Sequence, residues 1–127
     1  MTNAVERFYA AMLNGDVREL LAVLHPEFVL DVSRGMPLGV GGVHHGPKAA
    51  LKECWGVIFG AYETAPVPDD YVWSGEERCV AMGAYRGRLR ATGEDYEAAF
   101  SHDLRLRDGL IVRLAQVTDT ASWPAPR

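Results

Sequence analysis

Cysteine is scarce in this chain: its 127 residues hold two, Cys54 and Cys79, with no Cys-x-x-Cys spacing. That excludes a disulfide-stapled scaffold and a thiolate metal site, and both thiols fall inside apolar helix and strand patterns as core filler. No apolar run approaches the roughly 18 residues that a membrane helix needs. The opening MTNAVERFYAAML lacks the basic start and long apolar core of a signal peptide, so a cytoplasmic protein with no membrane partner is expected. Charge of one sign is missing too. Lys and Arg number 13 against 17 Asp and Glu, interspersed, for a net charge of −4, which leaves no basic stripe for a phosphate backbone and predicts no nucleic-acid partner. Metal-ligand spacing is absent: adjacent side chains such as His44-His45 diverge, and no His-x-Glu or His-x-x-x-His pattern supports them. The segment Gly41 to Lys48 has the glycines of a phosphate loop, but Pro47 stands at the lysine position. No metal and no cofactor are expected. There is no internal repeat or low-complexity tract.

What is present is a single domain, long enough to bury roughly two-thirds of the surface its unfolded form exposes. Residues 3–13 put Val5, Phe8, Tyr9, Met12 and Leu13 on one helical face, and Asn14-Gly15 ends that helix. Asp16 caps a second helix, with Glu19 three residues on, whose buried stripe is Val17, Leu20, Leu21 and Leu24. His25-Pro26 stops it. A short strand from Phe28 to Ser33 leads into a loop, Gly35 to Gly46, in which five glycines and Pro37 rule out a regular element. Pro47 opens a third helix carrying Leu51, Trp55, Ile58 and Tyr62 through residues 48–63. Thr64 to Asp70 reads as a proline-broken connector, and strands follow at about 70–75, 78–91, 95–107 and 110–118. Helices segregated from an antiparallel sheet make an α+β domain, and a sheet curled round one long helix encloses a pocket.

The segment from Asp95 to Thr120 organises the rest. It reads as two strands joined by the tight Asp108-Gly109 turn. Its period of two places His102 and Gln116 on the same side as Phe100, Leu104, Leu106, Val112 and Leu114, so polar groups point into apolar space. Asp31 and Asp119 fall on the opposite side, as do Asp103, Arg105 and Arg107, which suggests a solvated or dimer-facing outer surface.

With RFYAAMLNGDVRELLAVLHPEF at the front and FSHDLRLRDGLIVRLAQVTDT at the back, the chain resembles the SnoaL-like branch of the nuclear transport factor 2-like superfamily, to about Trp123. The resemblance implies one domain over residues 1–127, with an ordered core of about 3–123 and a tail at 124–127. It also implies a cone-shaped α+β fold, in which a curved mixed or antiparallel sheet wraps a long helix beside three helices of the N-terminal half, and a homodimer. Relatives include ketosteroid isomerases, polyketide cyclases and limonene-type epoxide hydrolases, so the fold alone does not fix the chemistry. The isomerase base position falls on Val32, its tyrosine position on Phe8 and its protonated-acid position on His102. The hydrolase Asp-Arg-Asp set falls on Tyr85, Gly83 and Gln116. Cyclases pair a histidine with an aspartate on the last two strands, and here the pair is His102 and Gln116.

These residues predict a site with His102 as general acid/base and with Tyr85 and Gln116 holding a substrate oxygen. Phe8, Met12, Val32, Trp55, Phe59, Phe100, Leu114 and Thr118 would line the wall. The expected function is a cofactor-free isomerase, cyclase or dehydratase acting on a small, apolar, carbonyl-bearing metabolite. The alternative is a non-catalytic ligand-binding or scaffold protein of the same fold. An open cavity with a free His102 ring nitrogen speaks for catalysis by that ring, and a buried ring already bonded on both sides speaks for binding or packing.

Overall fold

The computed structural model describes residues 3–126. Helix α1 spans Ala4–Asn14, with the Asn3 side chain accepting from the Glu6 amide and Gly15 closing the helix at φ 65°. Helix α2 spans Val17–Ala22, and the Asp16 carboxylate accepts from the Glu19 amide as its cap. Strand β1 (Leu24–Val32) and strand β2 (Gly42–His45) follow. The third helix starts as α3 (Pro47–Ala49), widens into a π-helical stretch over Ala50–Trp55 and ends as α4 (Gly56–Ala61). Strands β3 (Tyr62–Ser74), β4 (Arg78–Leu89), β5 (Asp95–Arg107) and β6 (Leu110–Thr118) complete the chain. The six strands form one curved sheet in the order β2-β1-β6-β5-β4-β3, antiparallel except for the parallel β1–β6 pair. It is the expected mixed α+β architecture, with the helices on the concave face.

Several local expectations are corrected. Leu13 and Val17 are exposed, at 66% and 47%, because the short α2 turns those flanks to solvent. Leu24 belongs to β1, which runs through His25-Pro26 with a register shift before Val29. The glycine-rich loop holds a regular element after all: β2 pairs with β1 and forms one edge of the sheet. Tyr62 opens β3 rather than closing the helix, and the supposed connector Thr64 to Asp70 lies within that strand. Prolines are tolerated there because β3 is the other edge and an irregularity at Pro68/Asp70 absorbs the mismatch. Val112 does not join the inner row. The register slips from Arg105↔Arg113 to Leu106↔Ile111, so Val112 is the extra residue of a bulge and Ile111 takes the buried place. The Tyr62 hydroxyl donates to the Pro124 carbonyl at 2.5 Å.

The hairpin behaves as its residues dictate. Asp108 and Gly109 adopt φ 54° and 77°, the left-handed pair that a two-residue turn of this hand requires. Inner positions of β5 alternate as Ala98, Phe100, His102, Leu104 and Leu106, all buried. Curvature at the other end depends on Gly83 and Gly87 of β4, because a Cβ there would sit 2.1 Å from the Val67 carbonyl oxygen and 2.0 Å from that of Glu63. Only glycine lets β3 fold this closely over the concave face. Gly87→Ala is therefore expected to lower unfolding stability by about 1–3 kcal/mol, read by urea denaturation.

Candidate active site

A hydrogen-bonded chain crosses the concave face. The Tyr9 hydroxyl, from α1, lies 2.6 Å from His102 Nδ1; Tyr85 Oη, from β4, lies 3.0 Å from His102 Nε2; and Gln116 Nε2, from β6, donates to Tyr85 Oη at 2.8 Å. Strand register explains the closeness, since His102 and Gln116 are direct partners across β5 and β6. The Tyr9 ring lies parallel to the imidazole at 5.8 Å and 5°, with Phe100 stacked on the imidazole at 4.2 Å. This packing fixes the ring's plane and aims one nitrogen at each tyrosine.

The roles along the chain follow from counting protons. His102 is 2% exposed, and burial away from water pulls its pKa down to about 3, so the ring is neutral at pH 7. A neutral imidazole offers one N–H and one acceptor nitrogen. In either tautomer one of the two buried phenols keeps an unpaired proton, and of the two it is Tyr85, not Tyr9, that has a small cavity beside it for that proton to turn into. Tyr9 therefore donates to Nδ1, and the proton on Nε2 is donated to Tyr85. The Tyr85 oxygen then accepts twice, from His102 and from Gln116, which leaves its own proton free. Burial pushes the pKa of both phenols up, with the Gln116 bond opposing it at Tyr85, so both stay protonated.

Tyr85 and Gln116 stand in the wall of a small cavity of about 20 Å³, lined also by Met12, Met36, Cys54, Trp55, Ile58, Phe59, Pro66 and Trp123. That volume is room for about one water. A larger ligand would have to displace walls such as Met12 and Met36, whose unbranched side chains re-pack readily. The Cys54 thiol is pushed up to about 12 by burial, so it is no thiolate at neutral pH. Gln116 Oε1 is buried and accepts no hydrogen bond from any described residue. No carboxylate lines this cavity among the described residues. Asp31 faces outward, paired with Arg34 and Arg113, and Asp119 accepts from the Ser122 hydroxyl at 2.8 Å.

Of the residues predicted to line the wall, Met12, Trp55 and Phe59 do so together with Tyr85 and Gln116. Phe8 packs behind, edge-on to Tyr9 and against Trp55 at 5.8 Å. Val32 and Leu114 are buried core residues. Phe100 backs His102 and Tyr85. Thr118 accepts from Trp123 Nε1 and donates to the Ala99 carbonyl. His102 itself stands one residue behind the cavity wall, with both nitrogens engaged, which is the arrangement that speaks against direct proton transfer by its ring. Sequence reasoning missed Tyr9 and, in the cavity wall, Met36, Cys54, Ile58, Pro66 and Trp123. Tyr9 was visible on the buried stripe of α1, but its partner lies 93 residues away. Cys54 and Trp55 are both buried, although neighbours on a regular helix diverge, because the π-helical turn seats both; its Gly56 amide donates to the Leu51 carbonyl.

Other hollows lack such chemistry. A shallow groove of about 510 Å³ on the convex face is lined by Glu27, Arg78, Arg105, Arg107 and Arg113. Its arginines are paired, with Arg78 on Asp103, Arg107 on Glu27 and Arg113 on Asp31. His44 is held by Glu53 and the Val40 carbonyl, and among the described residues no three His, Cys, Asp or Glu side chains converge as a metal-ligand set.

The sequence profile of the SnoaL-like domain matches residues 5–114. The chain belongs to the SnoaL-like domain family. Among solved structures, it is similar to a nuclear transport factor 2-like protein of unknown function from Burkholderia pseudomallei, at 29% identity and TM-score 0.85, over 95% of this chain and 94% of that one. TerC, co-crystallised with polyporic acid, is similar at 24% identity and TM-score 0.83, over 93% and 90% of the two chains. A provisionally named polyketide cyclase from Sinorhizobium meliloti is similar at 17% identity and TM-score 0.73, over 92% and 95%. No curated protein matches the chain in sequence. The fold is thus that of the nuclear transport factor 2-like proteins, and no helix among the described residues is long and apolar enough to cross a membrane.

Proposed function

We infer that this SnoaL-like domain binds a small, apolar, carbonyl-bearing molecule and polarises its oxygen with the Tyr85 hydroxyl, as a cofactor-free isomerase, cyclase or dehydratase. The observation that carries the reading is Tyr85 Oη beside the apolar cavity, accepting from Gln116 and 3.0 Å from His102 Nε2; with Nε2 protonated, the oxygen accepts twice and the phenol's own proton is left for the cavity. A fixed, neutral donor in a dry site stabilises negative charge that develops on a carbonyl oxygen without itself losing a proton. His102 acts through Tyr85, by occupying one of its lone pairs, rather than as the group that exchanges protons with substrate. The cyclase name of the Sinorhizobium protein and the polyporic acid held with TerC are precedents on the same fold. The test is a titration with 1-indanone followed by amide NMR shifts. They are expected to cluster around Met36, Tyr85, Gln116 and Trp123. Shifts confined to the convex arginine groove would contradict the reading.

A second reading, ligand binding without turnover, is favoured by one feature: among the described residues the cavity wall has no carboxylate or free imidazole to remove a substrate proton. Reactions that need only polarisation of an already acidic or folded-up substrate remain compatible with the wall as built. The two buried free thiols suit a reducing, cytoplasmic compartment. A homodimer through the convex face is also proposed. That face exposes Val43 and Val117, at 44% and 66%, within a surround of alternating acids and arginines that suits self-pairing. Sedimentation is expected to give twice the chain mass at micromolar concentration, and a monomer there would contradict it.

A further inference from the structure

Resting on the carbonyl-site reading above, we propose that the ligand carries a hydroxyl beside its carbonyl, an α-hydroxy ketone edge, and that Gln116 recognises the hydroxyl. Gln116 spends its amide nitrogen on Tyr85 Oη at 2.8 Å. Its amide oxygen is buried without a partner, in a residue that lines the cavity beside Tyr85. Buried acceptors of this kind are rare unless a water or ligand fills them. With the amide nitrogen committed to Tyr85 Oη, the amide oxygen is the end left without a protein partner. The wall therefore offers one donor, the Tyr85 hydroxyl, and next to it one acceptor, Gln116 Oε1.

A plain ketone satisfies only the donor. A carboxylate sets a second lone pair against the amide oxygen and is disfavoured on both counts, by that repulsion and by the apolar surround of Met12, Met36, Ile58 and Trp123. A hydroxyl adjacent to the carbonyl donates to Oε1 while the carbonyl accepts from Tyr85. The amide group holds its oxygen and nitrogen at a fixed short separation, so the two ligand atoms must be near neighbours.

The test measures dissociation constants for 2-hydroxy-1-indanone, 2-methoxy-1-indanone, 1-indanone and 2-indanol. The hydroxy ketone is expected to bind about tenfold more tightly than the methoxy ketone or 1-indanone, the worth of one satisfied buried acceptor. Gln116→Leu is expected to weaken the hydroxy ketone about tenfold more than it weakens 1-indanone. Equal binding of hydroxy and methoxy ketones overturns the proposal while leaving the carbonyl site standing, and that comparison on the unaltered protein holds even if the variant fails to fold. Binding of 2-indanol as tight as that of the hydroxy ketone overturns the carbonyl reading and the ligand class with it. Failure of all four compounds to bind in the cavity also overturns both.

Discussion

Acidification is expected to destabilise this protein by a little over 1 kcal/mol per pH unit as pH falls from about 6.5 towards 5, through His102 alone. The folded ring is neutral because burial pulls its pKa down to about 3. In the unfolded chain the same ring takes up a proton near its ordinary value of about 6.5. Protons therefore favour the unfolded chain: the contribution is complete above about 6.5 and is lost progressively down to about 3. The check is urea denaturation at several pH values for the unaltered protein and for His102→Phe, which keeps the stack with Tyr9 and Phe100 but cannot titrate. The difference in slope between the two isolates this ring from the carboxylates and from His25, His44 and His45. Equal slopes would contradict the assignment of His102 as a buried neutral group. His102→Ala goes further, leaving the Tyr9 hydroxyl unpaired and opening a void between two aromatic rings. A loss of roughly 3 kcal/mol or more is expected from the unpaired group and the cavity together.

Tyr85→Phe is the second large effect. Removing a preorganised oxyanion donor costs about 10²–10³ in kcat, and that is the loss expected on the carbonyl substrate retained by protein purified from its own host. Stability falls as well, by about 1–3 kcal/mol, because the Gln116 amide and the His102 N–H lose their shared acceptor. Comparing kcat with KM separates the readings. A polarising phenol acts mainly on kcat, whereas a protein that only binds shows a weaker complex and no turnover to lose. With His102 acting through Tyr85, the rate carries no inflection near pH 6.5. An inflection there, abolished in His102→Phe, would mark the ring as the direct acid/base and overturn the role given to Tyr85.

Much of this was legible in the residues. The inner row of β5 and its pairing with β6 could be read because alternation and an Asp-Gly turn are local signals, and they put His102 and Gln116 on one face. The cap at Asp16 and the helix stop at Gly15 were legible for the same reason. What stayed hidden depends on contacts distant in sequence. The bulge at Val112 is a matter of register between strands. The extension of β3 through Pro66 and Pro68 is allowed only by its place at the sheet edge. Tyr9 gains its role from a ring 93 residues on. The ordinary pKa of histidine suits a titrating group at neutral pH, and only its enclosure among Tyr9, Tyr85 and Phe100 shows how little solvent reaches the ring.

The central claim is that a neutral His102, protonated on Nε2, holds Tyr85 so that its hydroxyl faces the cavity. Nitrogen-15 NMR of the imidazole tests it most directly. The predicted result is an unprotonated Nδ1 and a protonated Nε2, unchanged from pH 8 down to pH 5. Uptake of a second proton near pH 6.5, or a proton resting on Nδ1, would contradict it.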